Sequence, residues 1–417
     1  MKYEFIFLSI LLLIAWQIKS QTTVTDDSLK NSALKLYIDC NSCDMDYIKK
    51  EIQFVNYVRE PKKADVFILF TFQTTGSGGT EYTMTFLGQN KFDGDNDTLK
   101  YNSKPDETSD ETRNGIVQTL KLGLIYYVSK TPLGKNLEIK YQSSESDNET
   151  IEDKWNNWVF ELSGNCYSNG QESTNQTYLG GSINIDKITE DIKLETSVYY
   201  NYNESNFKLN DTTTYKSIRK SQGFYFQYVK SISEHWSAGF STNIYSSTFN
   251  NYDLGTSFAP AIEYNLFKYS ESTRKQLRFL YKTGIGYNDY VDMTDLDKFK
   301  EALLFEKLII AFSIKEKWGS ISTSLSGSHY FHDIKLYNVD LWTSLRLRIV
   351  KGLSFNISSY VSLINDQISL PKQDATNEEI LTRKRMLPTQ YSYYVNAGIT
   401  YTFGSLYNNV VNPRFGN

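Results

Sequence analysis

The chain has 417 residues, a formal net charge of −4 and a mean hydropathy of −0.46. Its lysines are dispersed, so no nucleic-acid partner is suggested, and three cysteines with three histidines leave little room for a metal site. The 32 tyrosines and 24 phenylalanines, with only 7 prolines, favour β-strands, and barrels whose strands alternate polar and apolar residues also average out as hydrophilic.

Residues 1–20 have the pattern of a secretory signal peptide. Lys2 precedes an apolar run from Phe5 to Trp16, which is too short to be a reliable membrane span. We expect cleavage near Ser20 and a mature chain that begins near residue 22.

Residues 22–138 are predicted to form a small α+β domain with the element order βαβββα. Strand patterns cover 34–39, 64–73, 81–89 and 98–102, and helical periodicity covers 46–58 and 110–129. Two helices would then cover one compact sheet. The following segment, 139–155, is rich in Ser, Asp and Glu and is predicted to be a linker.

Cys40 and Cys43 stand between the first strand and the first helix of this domain. In thioredoxin-like folds a C-x-x-C pair at this position has a lowered thiol pKa. The other features of that family do not follow, and an exported chain normally oxidises such a pair. A structural disulfide is therefore favoured over a redox site, and a zinc site is less favoured still because further ligands are lacking.

From residue 156 to 404 the pattern changes to segments of roughly ten residues that alternate apolar and polar side chains. In the last segment Tyr393 and Val395 fall on one side, and Ser392 and Asn396 on the other. This alternation is typical of outer-membrane strands. Twelve strands are predicted, beginning near Trp158, Tyr178, Ile192, Gln222, Trp236, Ser257, Leu277, Ala302, Ser320, Val339, Leu353 and Tyr391. Residues 301–317 fit least well, because both faces there are apolar.

The lengths of the connections provide a second argument for a membrane barrel. Alternate connections are short, whereas 203–217, 288–300 and 365–390 are long. Short periplasmic turns and longer external loops characterise these barrels. The predicted fold is therefore mainly β: a closed antiparallel transmembrane β-barrel of about twelve strands, preceded by the small α+β domain.

Charged and polar residues are predicted to line the lumen of this barrel. The candidates are Glu161, Lys193, Glu195, Gln227, Glu263, Arg278, Lys282, Arg346 and Arg348. They could form a water-filled pore with a transverse field or ion-pair networks that plug a narrow barrel, since twelve strands allow both. In the loop 365–390, Arg383, Lys384 and Arg385 are clustered, and this loop either folds inward as a constriction or stays on the surface.

Two resemblances support the membrane interpretation. Gly398, Tyr401 and Phe403 resemble the closing-strand signal of outer-membrane proteins that the barrel-assembly machinery reads, although an extension, 405–417, follows here. The segments DCNSCDMDYIKKEIQFVNYV, GGTEYTMTFLGQ, INDQISLP and FGSLYNNVVNPRF resemble a group of uncharacterised Bacteroidota-type outer-membrane β-barrel proteins with an N-terminal periplasmic α/β domain. This resemblance implies a place in the cell outer membrane, with the N-terminal domain in the periplasm, rather than an activity.

No catalytic constellation stands out in the sequence. His235, His329 and His332 have no metal-ligand spacing, and the Gly-Ser pairs lack the setting of a nucleophile elbow. We therefore expect neither an enzyme nor a cofactor, and an outer-membrane hydrolase is the less favoured possibility. The favoured hypothesis is a passive pore or solute-translocating channel. The alternative is a closed structural barrel that anchors a periplasmic domain, whose sheet edge could bind a strand of a protein partner.

Overall fold

The computed structural model describes residues 32–76, 78–138, 154–208, 213–382 and 384–405, together with 407, 409, 412 and 414. The predicted signal peptide and nearly all of the predicted linker lie outside the described residues. Two sheets organise the described chain: one of five strands near the N-terminus and one of twelve strands after it.

The small sheet has the strand order β2-β1-β3-β4-β5, with β1 parallel to both of its neighbours and the remaining pairs antiparallel. Its elements are β1 (Leu34–Asp39), α1 (Met45–Glu51), β2 (Val55–Tyr57), β3 (Val66–Thr74), β4 (Thr80–Gly88), β5 (Asn96–Asn102) and α2 (Ser109–Ser129).

The prediction that the first helix continues to residue 58 is wrong. The helix ends at Glu51, and Val55–Tyr57 forms a short strand beside β1. The apolar residues Ile48, Ile52, Val55 and Val58 fit a helical period, but pairing with β1 gives the backbone of β2 its hydrogen bonds and also buries Val55. The element order is therefore βαββββα.

The core of the small domain lies between its sheet and its helices. The helix α2 begins with a capping box, in which the Thr108 hydroxyl accepts from the Glu111 N–H and the Glu111 carboxylate accepts from the Thr108 N–H. Its buried face, including Leu120 and Leu124, packs on the sheet. Gly123 lies against the ring of Phe86, where an added Cβ would approach within 2.2 Å.

The large sheet consists of twelve antiparallel strands in chain order, as the alternating segments predict. Its strands are β6 (Trp158–Gln171), β7 (Thr174–Ile188), β8 (Ile192–Lys208), β9 (Thr214–Ser231), β10 (Trp236–Ser247), β11 (Tyr252–Asn265), β12 (Lys275–Tyr290), β13 (Lys300–Glu316), β14 (Gly319–Tyr330), β15 (Asp333–Val350), β16 (Leu353–Ile364) and β17 (Tyr391–Tyr401). The edge strands β6 and β17 are not hydrogen-bonded to each other, so the sheet is open.

Several details of the large sheet differ from the sequence pattern. The strands β7, β9, β11 and β15 begin four to eight residues before the predicted Tyr178, Gln222, Ser257 and Val339, because cross-strand pairing extends into the polar segments that precede these positions. The segment that fits least well, 301–317, is the strand β13, paired along its length with β12 and β14. The connection expected to be long, 203–217, is short, because β8 continues to Lys208 and β9 begins at Thr214. Polar side chains such as Asn203 and Ser217 are compatible with both a loop and a paired strand, and the cross-strand ladder decides between them.

The large sheet is strongly curved. Eleven strand spacings correspond to about 50 Å across a flat sheet. The small domain nevertheless reaches both edges: Gly78 lies beside Val159 of β6, and the Arg59 guanidinium donates to the carbonyl of Phe403, just after β17, at 3.1 Å. A domain of about 100 residues has a radius of gyration of about 13 Å, so the two edges must curl toward each other to meet it.

Candidate functional site

The nine residues predicted to line a lumen lie on one face of the large sheet. Residues paired across neighbouring strands lie on the same face, and so do residues two apart along one strand. The pairings that connect the candidates include Glu161–Asn184, Asn184–Ser197, Glu195–Gln227 and Lys282–Lys307. Following the register from β6 to β15 places all nine candidates on this side. We call it the polar face.

On strands β6 to β9 the polar face is a hydrogen-bonded network. Glu195 pairs with Lys193 at 2.8 Å and accepts from the Gln227 amide at 3.2 Å. Asn184 donates to Glu161 at 3.4 Å and accepts from the Ser197 hydroxyl at 2.8 Å. The charges of Lys193 and Glu195 are therefore matched within this part of the sheet.

On strands β11 to β13 the polar face carries more positive charge than it can pair. Glu263 lies 3.5 Å from Arg278 and also accepts from the hydroxyl of Tyr269, whose pKa is raised to about 12 by burial. The Nε of Arg278 is buried without a hydrogen-bond partner. Lys282 and Lys307 stand directly opposite each other on β12 and β13.

Arg346 and Arg348 bind the small domain as well as lying on the polar face. Arg348 pairs with Asp39 at 2.7 Å and also donates to the carbonyl of Lys317. Arg346 donates to the side chain of Asn41 at 2.6 Å. The sequence predicts polar-face positions for both arginines, but nothing in its local pattern signals these long-range partners.

The face of the small sheet opposite its helices is directed toward this contact. Arg348 lies over the rings of Tyr37 and Phe67, 5.2 and 5.8 Å from their centroids. Phe67 is fully buried although it lies outside the main core, and burial raises the pKa of Tyr37. At a second contact, Gly76 packs on the β7–β8 turn, where an added Cβ would lie 2.3 Å from the carbonyl oxygen of Ile188. The small domain is therefore docked at one end of the large sheet.

At the opposite end, the β16–β17 loop crosses to distant strands. The amide of Asn251 donates to the carbonyls of Ser369 and Asp292, both at 2.9 Å, and Thr294 forms an antiparallel bridge with Pro371. In the strand order, β16 stands three to six places from the strands that flank these turns. The loop therefore lies against the turns of these distant strands at this end of the sheet.

Two of the three clustered basic residues of this loop, Lys384 and Arg385, lie within the described residues. Its helix, α3 (Asn377–Thr382), carries Glu379, which pairs with Arg385 at 3.6 Å. Arg385 also donates to the carbonyl of Gln373, and Lys384 is exposed. Arg383 lies outside the described residues. Arg385 is thus held within the loop itself.

The second face of the large sheet is apolar and exposed. Even on central strands, Ile285 is 51% exposed and Leu304 56%. Other exposed side chains on this face are Leu162, Ile183, Ile262, Leu325 and Ile399. Soluble monomers rarely expose apolar patches larger than a few hundred Å², so this face indicates an apolar environment or partner.

The cysteine pair and the C-terminal signal are both located. Cys40 and Cys43 form a disulfide, as predicted, and it holds the turn that carries Asn41. Gly398 and Tyr401 belong to the edge strand β17, and the Tyr401 ring stacks on that of Phe403 with centroids 5.5 Å apart. Beyond them, Tyr407 bridges to Val58, and the Asn409 side chain accepts from the Tyr57 N–H. Tyr407 and Asn409 thus lie at the β2 edge of the small sheet.

No protein-family model matches the chain, and no curated protein matches it. No helix within the described ranges is long and apolar enough to cross a membrane. Among the side chains that the structure describes, no group of three His, Cys, Asp or Glu residues is placed to hold a metal ion.

Proposed function

We propose that the twelve-stranded sheet closes through β6 and β17 into an outer-membrane β-barrel, and that this barrel is a gated pore for small solutes. The observation that carries the proposal is the division of the same twelve strands into an exposed apolar face and a hydrogen-bonded polar face. Lipid would contact the first face and water would fill the space inside the second.

Closure follows from the energetics of a backbone in hydrocarbon. At an open sheet edge inside a bilayer, each backbone N–H or C=O group without a hydrogen-bond partner costs several kcal/mol. The edges β6 and β17 carry exposed side chains on both faces and curl toward each other around the small domain. In this proposal the barrel-assembly machinery recognises β17 through Gly398, Tyr401 and Phe403, and closure follows insertion.

The two ends of the sheet support gating rather than an open channel. The small domain, which we place in the periplasm, contacts one end through Arg346 and Arg348. The β16–β17 loop covers part of the other end through Asn251. Solute passage would therefore require one or both of these covers to move.

Single-channel recording of the refolded full chain in planar bilayers tests the pore. We expect discrete conductance steps that become larger or more frequent in Asn251→Ala, which releases the loop. A folded protein that produces no steps in either form contradicts the pore. Closure is tested separately by hydrogen exchange in micelles, where the amides of β6 and β17 should be as protected as those of β7 and β16.

One observation favours a second candidate. Because both ends of the sheet are covered, the barrel could be a closed anchor that presents the small domain to a periplasmic protein. The other edge strand of the small sheet is β5, whose side chains are mostly exposed, and it could bind a strand of such a protein. Protected edge strands together with an electrically silent bilayer would favour this anchor.

A further inference from the structure

Lys282 and Lys307 are an unusual pair on the polar face. They stand directly opposite each other in the β12–β13 ladder, and residues in this relationship have Cβ atoms about 4.5–5.5 Å apart. Like charges placed directly opposite destabilise a sheet. A negative charge beside such a pair would therefore stabilise it.

Within the described residues neither lysine forms an ion pair, although Glu263 and Asp366 are near enough to interact with Lys282 and Lys307 electrostatically. Across the described part of the chain, no carboxylate oxygen lies within 4.0 Å of either ammonium group, whereas Glu195 is paired with Lys193 and Glu263 with Arg278. Arg278 lies on the same face of β12, but its charge is matched by Glu263. The region around the two lysines therefore attracts an anion.

The structure also contains space for an anion beside Lys307. A cavity of about 260 Å³ lies between strands β10 to β14 and the β16–β17 loop. Its lining residues include Lys307, Tyr245, Ser328 and Tyr330, whose side chains carry ammonium or hydroxyl groups. These are the groups that bind the oxygen atoms of phosphates and carboxylates.

One acidic group also lines this cavity. Asp366, from the β16–β17 loop, faces Lys307 across it, and burial raises the pKa of Asp366, which disfavours its charged form. Because Asp366 belongs to the loop that covers this end of the sheet, movement of the loop would carry it away from the lysines. The two lysines, in contrast, belong to paired strands and stay in place.

We propose that Lys307, with the charge of Lys282 directly opposite it, binds an anion on the polar face in the cavity that Lys307 lines, and that this anion is a small solute bearing phosphate or carboxylate oxygens. We rely on the proposed pore only when we take the bound anion to be the solute that the barrel transports. Binding of the anion itself requires the curved sheet and the two lysines, whether or not the barrel conducts.

Isothermal titration calorimetry of the refolded full chain with inorganic phosphate tests the site. We expect saturable binding that weakens at least tenfold in Lys282→Gln/Lys307→Gln. Lys315→Gln is the matched control, because Lys315 lies on the same face of β13 near the other end of the strand. The phosphate affinity of this variant should stay within twofold of that of the parent protein. Lys282→Arg/Lys307→Arg keeps both positive charges and should retain phosphate binding. This variant therefore distinguishes the loss of charge from a general effect of substitution on folding.

The outcomes distinguish the site from the pore. Absence of phosphate binding in the parent protein, or equal binding in the glutamine variant and the Lys315→Gln control, overturns the anion site. A silent bilayer with intact, lysine-dependent phosphate binding contradicts the pore and leaves the site standing. If the barrel conducts, the reversal potential in a salt gradient should indicate anion preference and move toward cation preference in the double glutamine variant.

Discussion

Asp39, the last residue of β1, forms an ion pair with Arg348 near the end of β15, with 2.7 Å between Oδ1 and Nη2. About a fifth of each side chain is exposed, and the same guanidinium covers the Tyr37 and Phe67 rings. A planar arginine suits this combination of a carboxylate partner and aromatic stacking. Arg348 therefore contributes to the position of the small domain against the large sheet, together with the Arg346–Asn41 and Arg59–Phe403 contacts.

A double-mutant cycle measures this dependence. We expect Asp39→Asn and Arg348→Gln to be coupled by about 1–2 kcal/mol, because the pair is largely shielded from water. The readout is urea unfolding followed by circular dichroism at 222 nm. The Arg274–Glu316 pair is more exposed, 40% and 29%, and should couple more weakly. Equal coupling in the two cycles would contradict a special role for Arg348.

The disulfide should stabilise the small domain. Cys40→Ser/Cys43→Ser removes a bond that closes a loop of four residues, and the expected loss in the free energy of unfolding is about 2 kcal/mol. Cys166→Ser is the control, since Cys166 is an exposed free thiol on β6 and its replacement should change nothing. Thermal unfolding with and without dithiothreitol provides the measurement, and identical melting of all three proteins would refute the prediction.

Close packing of α2 on the small sheet makes Gly123 sensitive to substitution. In Gly123→Ala the new Cβ would meet the Phe86 ring, so helix and sheet must separate, at a cost of about 1–3 kcal/mol. The adjacent Leu122 is 65% exposed, and Leu122→Ala should stay within about 0.5 kcal/mol of the parent. The comparison uses denaturant unfolding of both variants under one condition. A larger loss in Leu122→Ala would show that α2 packs differently.

The small domain should lose stability in acid through Glu107. The hydroxyl of Tyr101 donates to Glu107 at 2.6 Å and holds the pKa of that carboxyl below its usual range, with further help from the Lys104 N–H. A lowered pKa adds stability above the unfolded value of about 4.3, and this is lost as pH falls through the folded value. Melting temperatures measured between pH 6 and 3 should therefore fall less steeply in Glu107→Gln than in the parent or in Asp106→Asn. Parallel curves for all three would count against this account.

Asn251 should control the position of the β16–β17 loop. Besides donating twice, its side chain accepts from the Asp292 N–H at 2.7 Å, and its own φ is 61°. Asn251→Ala loses these bonds and strains the backbone, whereas Asn251→Gly loses the bonds alone. Hydrogen exchange of the loop amides should accelerate about tenfold or more in both, in line with about 0.5–1.5 kcal/mol per hydrogen bond. Asn250→Ala is the neighbouring control, and acceleration there as well would show that the effect is not specific.

Much of this architecture could be predicted from local pattern. A period of two along each strand decides which side chains share a face, so the sequence pattern places Lys193 and Glu195 on one side of β8, and Arg278 and Lys282 on one side of β12. The starts of β6, β8, β10, β16 and β17 agree with the predicted positions, and α2 differs by one residue. Each of these features depends on residues only a few positions apart.

Only the tertiary structure determined which distant segments of the chain contact each other. Asn41 and Arg346 meet although they are 305 residues apart, and no local rule relates them. The spacing of apolar residues around Val55 fits both a helix and a strand. This segment forms the strand β2 because its backbone pairs with the edge of β1. The course of the loop through Asn251 and the opposition of Lys282 and Lys307 likewise required the curvature and register of the whole sheet. A sequence pattern determines which face of a strand is apolar, whereas the partner of each face depends on the geometry of the entire chain.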